Sequence, residues 1–293
     1  MMTPPIRPKY PPLPNTWIGR YHAAWEWVEN NLQGRKMRPL NVLVAGIGGG
    51  TDEYGQRYES AEPAEVGLAL HRAGIRFSMT AMDVNAQAVE GINRQLKDGH
   101  LEFHEIKPHP ALSLGRLSEP LEARWTYLGR LLGKPFESGR HKVPLPQAVK
   151  NAIKIRGPER KGDIFSNQLP RNNDLITSFN VAMYYDPYQQ AILAKKLFDA
   201  LRNGGILITH GLVKNEAYIE QLNALFGRAG RLHQMPSTEG GTIHVFKKTI
   251  KKVKRTWPKA WKKPIRNGRK RSRPNNIASY ARKAPSFRSR ENS

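Results

Sequence analysis

The chain alternates short apolar runs with amphipathic segments over most of its length. Apolar runs of strand length occupy 41–50, 75–84, 174–185, 206–212 and 240–248. Segments with apolar residues at helical spacing occupy 16–32, 62–74, 85–99, 187–205 and 215–230. Strands that alternate with helices predict a doubly wound α/β domain, with a mostly parallel sheet covered on both faces.

Local signals mark several of the predicted boundaries. Asn85 stands at the N-cap position of one helix, and Pro63 stands in the first turn of another. The glycine pair at 204–205 is expected to end the helix before it. Residues 100–160 are rich in Pro, Gly, Lys and Arg. There we predict only a short strand at 101–106 and a helix at 124–133.

Charge divides the chain into a mildly basic body and a strongly basic tail. The net charge is +24. From Lys247 to the C-terminus there are 18 Lys or Arg residues and a single acid, Glu291, so +17 of that charge falls there. We therefore predict a folded domain over 15–248 and a disordered basic tail over 249–293. Residues 1–14 contain six prolines and are expected to form an extended arm.

Composition also limits the kinds of site. The chain has no cysteine, which excludes disulfides and Cys-ligated zinc. Its nine histidines show no metal-ligand spacing on a helix, so we predict no metal. No apolar run approaches the roughly 18 residues of a membrane span. The arm lacks the apolar core of a signal peptide, and we expect a cytoplasmic protein.

Two features at the ends of the first two strands predict a nucleoside site. Gly46, Gly48 and Gly50 follow the first strand, where they let the backbone approach a ligand closely. Asp83 ends the second strand, where a carboxylate can accept both hydroxyls of a ribose. The carboxyl ends of parallel strands meet at one edge of the sheet, so these groups are expected to lie together.

The glycine turn is chemically unsuited to phosphate. Its spacing is not the G-x-G-x-x-G of dinucleotide folds, and no Gly-Lys-Ser/Thr follows it. Instead Asp52 and Glu53 come next, and acids there would repel phosphate. They suit the sulfonium or ammonium charge of S-adenosylmethionine (SAM), which we therefore favour over NAD or ATP as the cofactor.

Together these motifs resemble the CheR-type methyltransferases, which methylate glutamate side chains of chemotaxis receptors. The resemblance covers roughly residues 15–248. The family's motifs T-x-F-F-R, A-G-C-x-x-G and R-N-V-L-I-Y-F-D match residues 16–20, 45–50 and 179–186. Its E-P pair, its strand-two acid, its P-x-x-Q element and its strand-five histidine match Glu62-Pro63, Asp83, Pro187 with Gln190, and His210.

The resemblance implies a seven-stranded, Rossmann-like class I methyltransferase fold, SAM as cofactor and a protein glutamate carboxylate as acceptor. It implies that Thr16 and Arg20 contact the cofactor or the acceptor carboxylate. The glycine loop and Glu62, with Glu53 as the alternative acid, would face the methionine part of SAM. The remaining implied roles are ribose binding by Asp83, adenine binding by Asp163, and a transfer site lined by Asn180 and Tyr184.

Two parts of the family's architecture are not expected here. The N-terminal helical domain that docks receptors has no counterpart in the 14-residue arm. The small sheet that the family inserts after its second strand is not evident in 100–145. The methyltransferase core is therefore a firmer expectation than the receptor substrate.

The acceptor and the tail leave alternatives open. The acceptor could instead be RNA, a small molecule or a basic protein, or the chain could be a non-catalytic SAM or nucleotide binder. Trp257 and Trp261 lie between cations in the tail. That pattern suits nucleic acid, an anionic membrane surface, an acidic protein substrate, or a merely solubilising tail.

Overall fold

A computed structural model describes most of the predicted domain. The described residues are 18–33, 38–48, 50–51, 57–58, 61–105, 119–160, 162–165, 168–212, 215–237 and 241–249. The predicted arm, Thr16, Glu53 and residues 250–293 of the predicted tail lie outside them.

A seven-stranded sheet forms the centre of the fold, in the order β10-β11-β9-β8-β1-β4-β7. Neighbouring strands from β9 to β7 are parallel, whereas β11 runs antiparallel to both β9 and β10. The fold is thus the predicted α/β class with a mostly parallel, seven-stranded sheet. Its strands are β1 (Leu40–Ala45), β4 (Phe77–Met82), β7 (Ile153–Arg156), β8 (Asn173–Ser178), β9 (Leu201–Gly211), β10 (Arg231–Pro236) and β11 (Thr242–Lys247).

Two small antiparallel sheets and seven helices complete the described elements. The small sheets pair β2 (Gly50–Thr51) with β3 (Arg57–Tyr58), and β5 (His100–Glu105) with β6 (Gly139–Pro144). The helices are α1 (His22–Asn31), α2 (Glu62–Arg72), α3 (Ala86–Asp98), α4 (Glu119–Leu132), α5 (Gln147–Ala152), α6 (Pro187–Ala200) and α7 (Glu216–Phe226). None of these helices is long and apolar enough to cross a membrane.

Both faces of the sheet are covered by apolar packing. Along β1, Val42 and Val44 belong to one core with α1 and α2, whereas Leu43 and Ala45 belong to a second core with α6 and α7. The alternation follows from the two-residue repeat of a strand, which sends successive side chains to opposite faces. Burial on both sides explains why these strands are continuous apolar runs in the sequence.

The predicted cap of α3 is confirmed. The Asn85 side chain accepts hydrogen bonds from the backbone N–H groups of Gln87 and Ala88, at 3.0 and 3.4 Å. These two donors have no partner within the helix, so the cap satisfies them. The helix ends at Gly99 in a left-handed conformation, with φ of 77°.

The helix predicted over 187–205 ends earlier, at Ala200. Asn173 at the start of β8 captures the carbonyl of Ala200 with its side-chain amide, at 3.0 Å. The chain then enters β9 directly, and Leu201 pairs with Asn173. Gly205 therefore does not cap the helix but lies inside β9, where a Cβ would come within 2.7 Å of the Asn173 carbonyl oxygen.

Three other predictions were also wrong in part. The strand predicted over 174–185 ends at Ser178, because Asn180 takes a left-handed backbone with φ of 54° and turns the chain. The helix predicted over 215–230 ends at Phe226. A small sheet, β5 with β6, does lie within 100–145. The elements β2, β3, β6, α5, β7 and β10 were not predicted.

Candidate functional site

The fold places a crevice where the strand order reverses. β1 pairs with β4 on one side and with β8 on the other. The helices that follow β1 and β8 along the chain, α2 and α6, pack on opposite faces of the sheet. Their connections therefore diverge at the carboxyl ends of β1 and β8, which is where ligands bind in open α/β sheets.

The glycine turn after β1 packs closely against the segment after β8. Gly46 has φ of 90°, and a Cβ on it would lie 2.2 Å from the Cγ2 of Val181. Gly48 also has positive φ, 70°. Both positions therefore need glycine, one for space and both for backbone conformation. Gly50, the third predicted glycine, begins the small hairpin β2–β3.

Asp83 holds this turn in place. One carboxylate oxygen, Oδ2, accepts hydrogen bonds from the N–H groups of Ile47 at 2.7 Å and Gly48 at 3.0 Å. The other, Oδ1, accepts from the N–H of Asn85 at 2.8 Å. Burial raises the pKa of Asp83, and the hydrogen bonds from the Asn85, Gly48 and Ile47 backbone oppose that rise.

These bonds refine the role expected for Asp83. A carboxylate has roughly four lone-pair sites, and backbone donors already take most of them. A ribose bound here could donate at most one hydrogen bond to Asp83, rather than the two that the sequence suggested. The same bonds occupy the turn N–H groups that a phosphate would otherwise use.

Asp163 lies beside the end of β4. Its neighbour Gly162 fits against Asp83, since a Cβ there would come within 2.2 Å of the Asp83 carbonyl oxygen. The Asp163 carboxylate accepts from the N–H of Phe165 at 2.7 Å and is half-buried. The structure thus brings the residue before Asp163 against the Asp83 backbone, and the contact of Asp163 with adenine stays a prediction.

Glu62 is a fully buried acid at the start of α2. Its Oε1 accepts a hydrogen bond from the Thr177 hydroxyl at 2.8 Å. Burial raises the pKa of Glu62 well above its ordinary value. The Thr177 bond opposes this rise, the charges of Glu65 and Asp83 add to it, and Arg20 opposes it. A positive charge bound beside Glu62 would lower its pKa.

Arg20 reaches the same crevice from the turn before α1. The Asn180 side-chain amide satisfies all its neighbours in one of its two orientations. In that orientation its oxygen accepts hydrogen bonds from both terminal nitrogens of Arg20, at 2.7 and 2.8 Å. The Asn180 nitrogen then donates to Nδ1 of His210 at 3.0 Å. The Asn180 amide is thus one partner of the Arg20 guanidinium.

His210 continues this polar chain into the protein. Its Nε2 lies 2.8 Å from the Ser237 hydroxyl oxygen. Since Nδ1 accepts from Asn180, Nε2 carries the proton and donates to Ser237. Tyr21, which the sequence did not single out, stacks on Phe179 with ring centroids 4.0 Å apart. Its hydroxyl lies 2.9 Å from the Asn180 oxygen.

Tyr184 lies on the same connection as Asn180. It ends the short 3-10 turn Ala182–Tyr184 and is half-buried. This placement keeps it in the strand-end segment that the glycine turn contacts. Its role in orienting an acceptor stays a prediction.

A second buried acid, Glu65, lies one turn along α2. It accepts the N–H of Gly19 at 2.7 Å and the Tyr127 hydroxyl at 3.4 Å. Burial raises the pKa of Glu65 to about 7, against the Gly19 hydrogen bond and the Arg124 charge. The sequence carried a signal for it, since Glu62 and Glu65 stand three residues apart in an otherwise apolar helix.

Several solved structures are similar to this chain at low identity. N-methyltransferase NodS from Bradyrhizobium japonicum WM9 is 12% identical, with a TM-score of 0.45 over 78% of this chain and 95% of that chain. NodS in complex with S-adenosyl-L-homocysteine has the same TM-score of 0.45 and 12% identity, over 78% and 85% of the two chains. Magnesium protoporphyrin IX methyltransferase (ChlM) from Synechocystis PCC 6803 with bound SAM is 12% identical, with a TM-score of 0.42 over 78% and 77%.

Likenesses this weak assign neither a family nor an activity to this chain. No family model matches it, and no curated protein does.

The raised pKa of Glu65 predicts a pH-dependent stability. Because the folded state holds this proton more tightly than the ordinary value of 4.5 allows, the contribution of Glu65 to stability is fully present below that value and is lost as the pH rises through about 7. Glu65→Gln should remove up to about 3 kcal/mol of that loss, at 1.4 kcal/mol per pKa unit. Urea unfolding between pH 4 and pH 9 measures it.

The exposed Glu220 on α7 supplies a matched control. Glu220→Gln should leave the pH dependence of the wild type unchanged. Parallel pH curves for the wild type and Glu65→Gln would contradict the assignment.

Proposed function

We propose that this chain is a SAM-dependent methyltransferase that binds SAM at the carboxyl ends of β1, β4 and β8. The observation that carries the proposal is the bond between the Asp83 carboxylate and the N–H groups of Ile47 and Gly48. A phosphate-binding turn presents free N–H groups and often a lysine. This turn presents a carboxylate, which suits an adenosine carrying a sulfonium instead of a phosphate.

The charges in the crevice also fit the amino-acid end of SAM. Burial raises the pKa of Glu62, the Arg20 charge opposes that rise, and both residues are buried. A buried acid beside a buried guanidinium matches an ammonium beside a carboxylate. Asp83 would hold the ribose, with Asp163 beside the adenine.

Bound SAM would supply a methyl group already activated by a sulfonium. The chain's residues would then orient the acceptor in line with that methyl and exclude competing geometries. A carboxylate acceptor is already nucleophilic and needs no general base. Tyr184 would position it by a hydrogen bond, and Arg20 would balance its charge.

We further propose a protein glutamate carboxylate as the acceptor. The support is the place of Arg20, whose guanidinium bonds the Asn180 oxygen at 2.7 and 2.8 Å after the end of β8 and can pair with an anionic acceptor. The basic segment from Lys247 onward, with 18 Lys or Arg residues, favours an acidic protein as the partner that presents the glutamate.

The same basic segment also supports a second candidate function. A charge of +17 from Lys247 onward would bind RNA electrostatically, with Trp257 and Trp261 available for stacking on bases. The acceptor would then be RNA. A chain that binds SAM without transferring its methyl is the remaining alternative, and transfer assays separate the three.

Calorimetry with S-adenosylhomocysteine, ATP and NAD tests the cofactor. We expect S-adenosylhomocysteine to bind at least about tenfold more tightly than either phosphate ligand, because the turn N–H groups are occupied. A 2′-deoxy or 3′-deoxy analogue should lose about 1.5–3 kcal/mol, the worth of a hydrogen bond to a charged group. Asp83→Asn should shrink that loss.

The deoxy analogues change the ligand and leave the turn intact. Used together with Asp83→Asn, they separate a loss of ribose binding from damage to the turn. Equal affinity for S-adenosylhomocysteine and both deoxy analogues would remove Asp83 from the ribose. Tighter binding of ATP or NAD would overturn the proposed cofactor.

Methyl-label transfer tests the acceptor and the role of Arg20. If Arg20 holds the acceptor carboxylate, Arg20→Ala should keep near-normal affinity for SAM and lose transfer, by about 10²-fold or more. The label on the product should be released as methanol by mild base, as carboxyl esters are.

Lys195→Ala is a suitable control, since Lys195 pairs only with a neighbour on the exposed face of α6. Base-stable label would exclude a carboxylate acceptor while leaving the methyltransferase proposal intact. A loss of SAM affinity in Arg20→Ala would instead place Arg20 on the cofactor.

A further inference from the structure

Residues 18–21 form the turn that leads into α1 and carries Arg20 into the crevice. The turn begins with Gly19 in a left-handed conformation, with φ of 74°. Two charged side chains that do not line the crevice hold this turn, Glu65 from α2 and Arg124 from α4. Both are almost completely buried, at 3% and 1% exposure.

Glu65 holds the turn by accepting a hydrogen bond from one of its backbone N–H groups. The Gly19 N–H donates to Oε1 of Glu65 at 2.7 Å. The Tyr127 hydroxyl, from α4, donates to the same oxygen at 3.4 Å. The carboxylate thus connects the turn to α2 and α4 together.

Arg124 holds the turn by donating hydrogen bonds to one of its backbone carbonyl oxygens. Its Nε and one terminal nitrogen both donate to the carbonyl oxygen of Ile18, at 3.0 and 2.9 Å. The two bonds fix the peptide plane in a way that a single donor cannot. The Arg124 charge also opposes the rise that burial causes in the pKa of Glu65.

The backbone at Gly19, between these two contacts, is closely packed. A Cβ on Gly19 would lie 3.2 Å from a ring carbon of Tyr127, and 3.3 Å from side-chain carbons of Arg124 and Leu128. The next residue is Arg20, whose guanidinium bonds the Asn180 oxygen at 2.7 and 2.8 Å. Any rotation of the turn would move Arg20 away from Asn180.

We propose that Glu65 and Arg124 are positioning residues for Arg20. Their hydrogen bonds to a backbone N–H and a backbone carbonyl of the turn hold the Arg20 guanidinium against Asn180. Apolar side chains of similar volume would serve a stable core at least as well as two buried charges. The directional hydrogen bonds that polar side chains make here, and apolar ones cannot, define where Arg20 points. The consequence for methyl transfer rests on the proposed function, but the positioning itself does not.

The test uses the full chain and reads the position of Arg20 directly. Phenylglyoxal modifies accessible guanidinium groups, and mass spectrometry of the peptide that contains residue 20 gives the rate for Arg20. Hydrogen exchange at the Gly19 amide reports the turn. The variants are Glu65→Ala, Glu65→Gln and Gly19→Ala, with Leu222→Ala in the other core as a stability-matched control.

We expect Glu65→Ala to raise both rates at least about tenfold, the value of one lost hydrogen bond of about 1.4 kcal/mol. Glu65→Gln should rescue both rates to within about threefold of the wild type, because its amide oxygen still accepts the Gly19 N–H. Gly19→Ala, which keeps both charges but crowds the turn, should raise the Arg20 rate as Glu65→Ala does. Leu222→Ala should lower the melting temperature without raising either rate above the wild type.

Arg20 modification in Glu65→Ala that is no faster than in Leu222→Ala would overturn the proposal. So would full protection of Arg20 in Gly19→Ala. If Glu65→Ala does not fold, Gly19→Ala and Glu65→Gln still decide the question.

A double variant connects positioning to activity. Glu65→Ala should lower the same property that Arg20→Ala lowers, either affinity for S-adenosylhomocysteine or methyl transfer, by at least about fivefold. Combined with Arg20→Ala it should add less than about twofold, since residues that act through one group are not additive. Full additivity would show that Glu65 acts independently of Arg20 and would overturn the proposal. A chain that binds no S-adenosylhomocysteine contradicts the proposed function alone, because the modification rates remain measurable.

Discussion

The crevice depends on the hydrogen bonds that the Asp83 carboxylate accepts. The carboxylate joins the end of β4 to the turn after β1 through the N–H groups of Ile47 and Gly48. The same turn packs on Val181, which follows β8, so closely that only glycine fits at position 46. One buried acid thus sets the spacing of three strand ends, and it also decides which ligand chemistry the turn can accept, because it occupies the donors that a phosphate would need.

Buried charge is concentrated around α2. Glu62 faces the crevice with Thr177, whereas Glu65 faces the turn that bears Arg20. Their spacing of three residues puts both on neighbouring parts of one helix face. We propose that the first binds the ligand, whereas the second holds the backbone of the turn, so that one helix would contribute both a binding group and its support.

The strongly patterned parts of the chain were predictable, and the weakly patterned parts were not. The apolar strand β1, the glycine turn, Asp83 and the Asn85 cap follow from local signals that tertiary packing leaves in place. β7 was missed because it has only four residues, and in both β6 and β7 lysine and arginine stand at alternate positions, which resembles a loop. The strand β8 was predicted too long because Asn180 turns the chain with a backbone conformation that the apolar pattern does not reveal. Partners such as Thr177 and Ser237 depend on contacts between distant segments, for which the sequence has no local signal.

A crystal structure of the full chain with S-adenosylhomocysteine tests the central claim most directly. The account predicts the nucleoside at the carboxyl ends of β1 and β4, with one ribose hydroxyl about 3 Å from the Asp83 carboxylate. It also predicts that the amino-acid end lies between Glu62 and Arg20. A nucleoside bound elsewhere, or one in this crevice whose ribose does not reach Asp83, would contradict it.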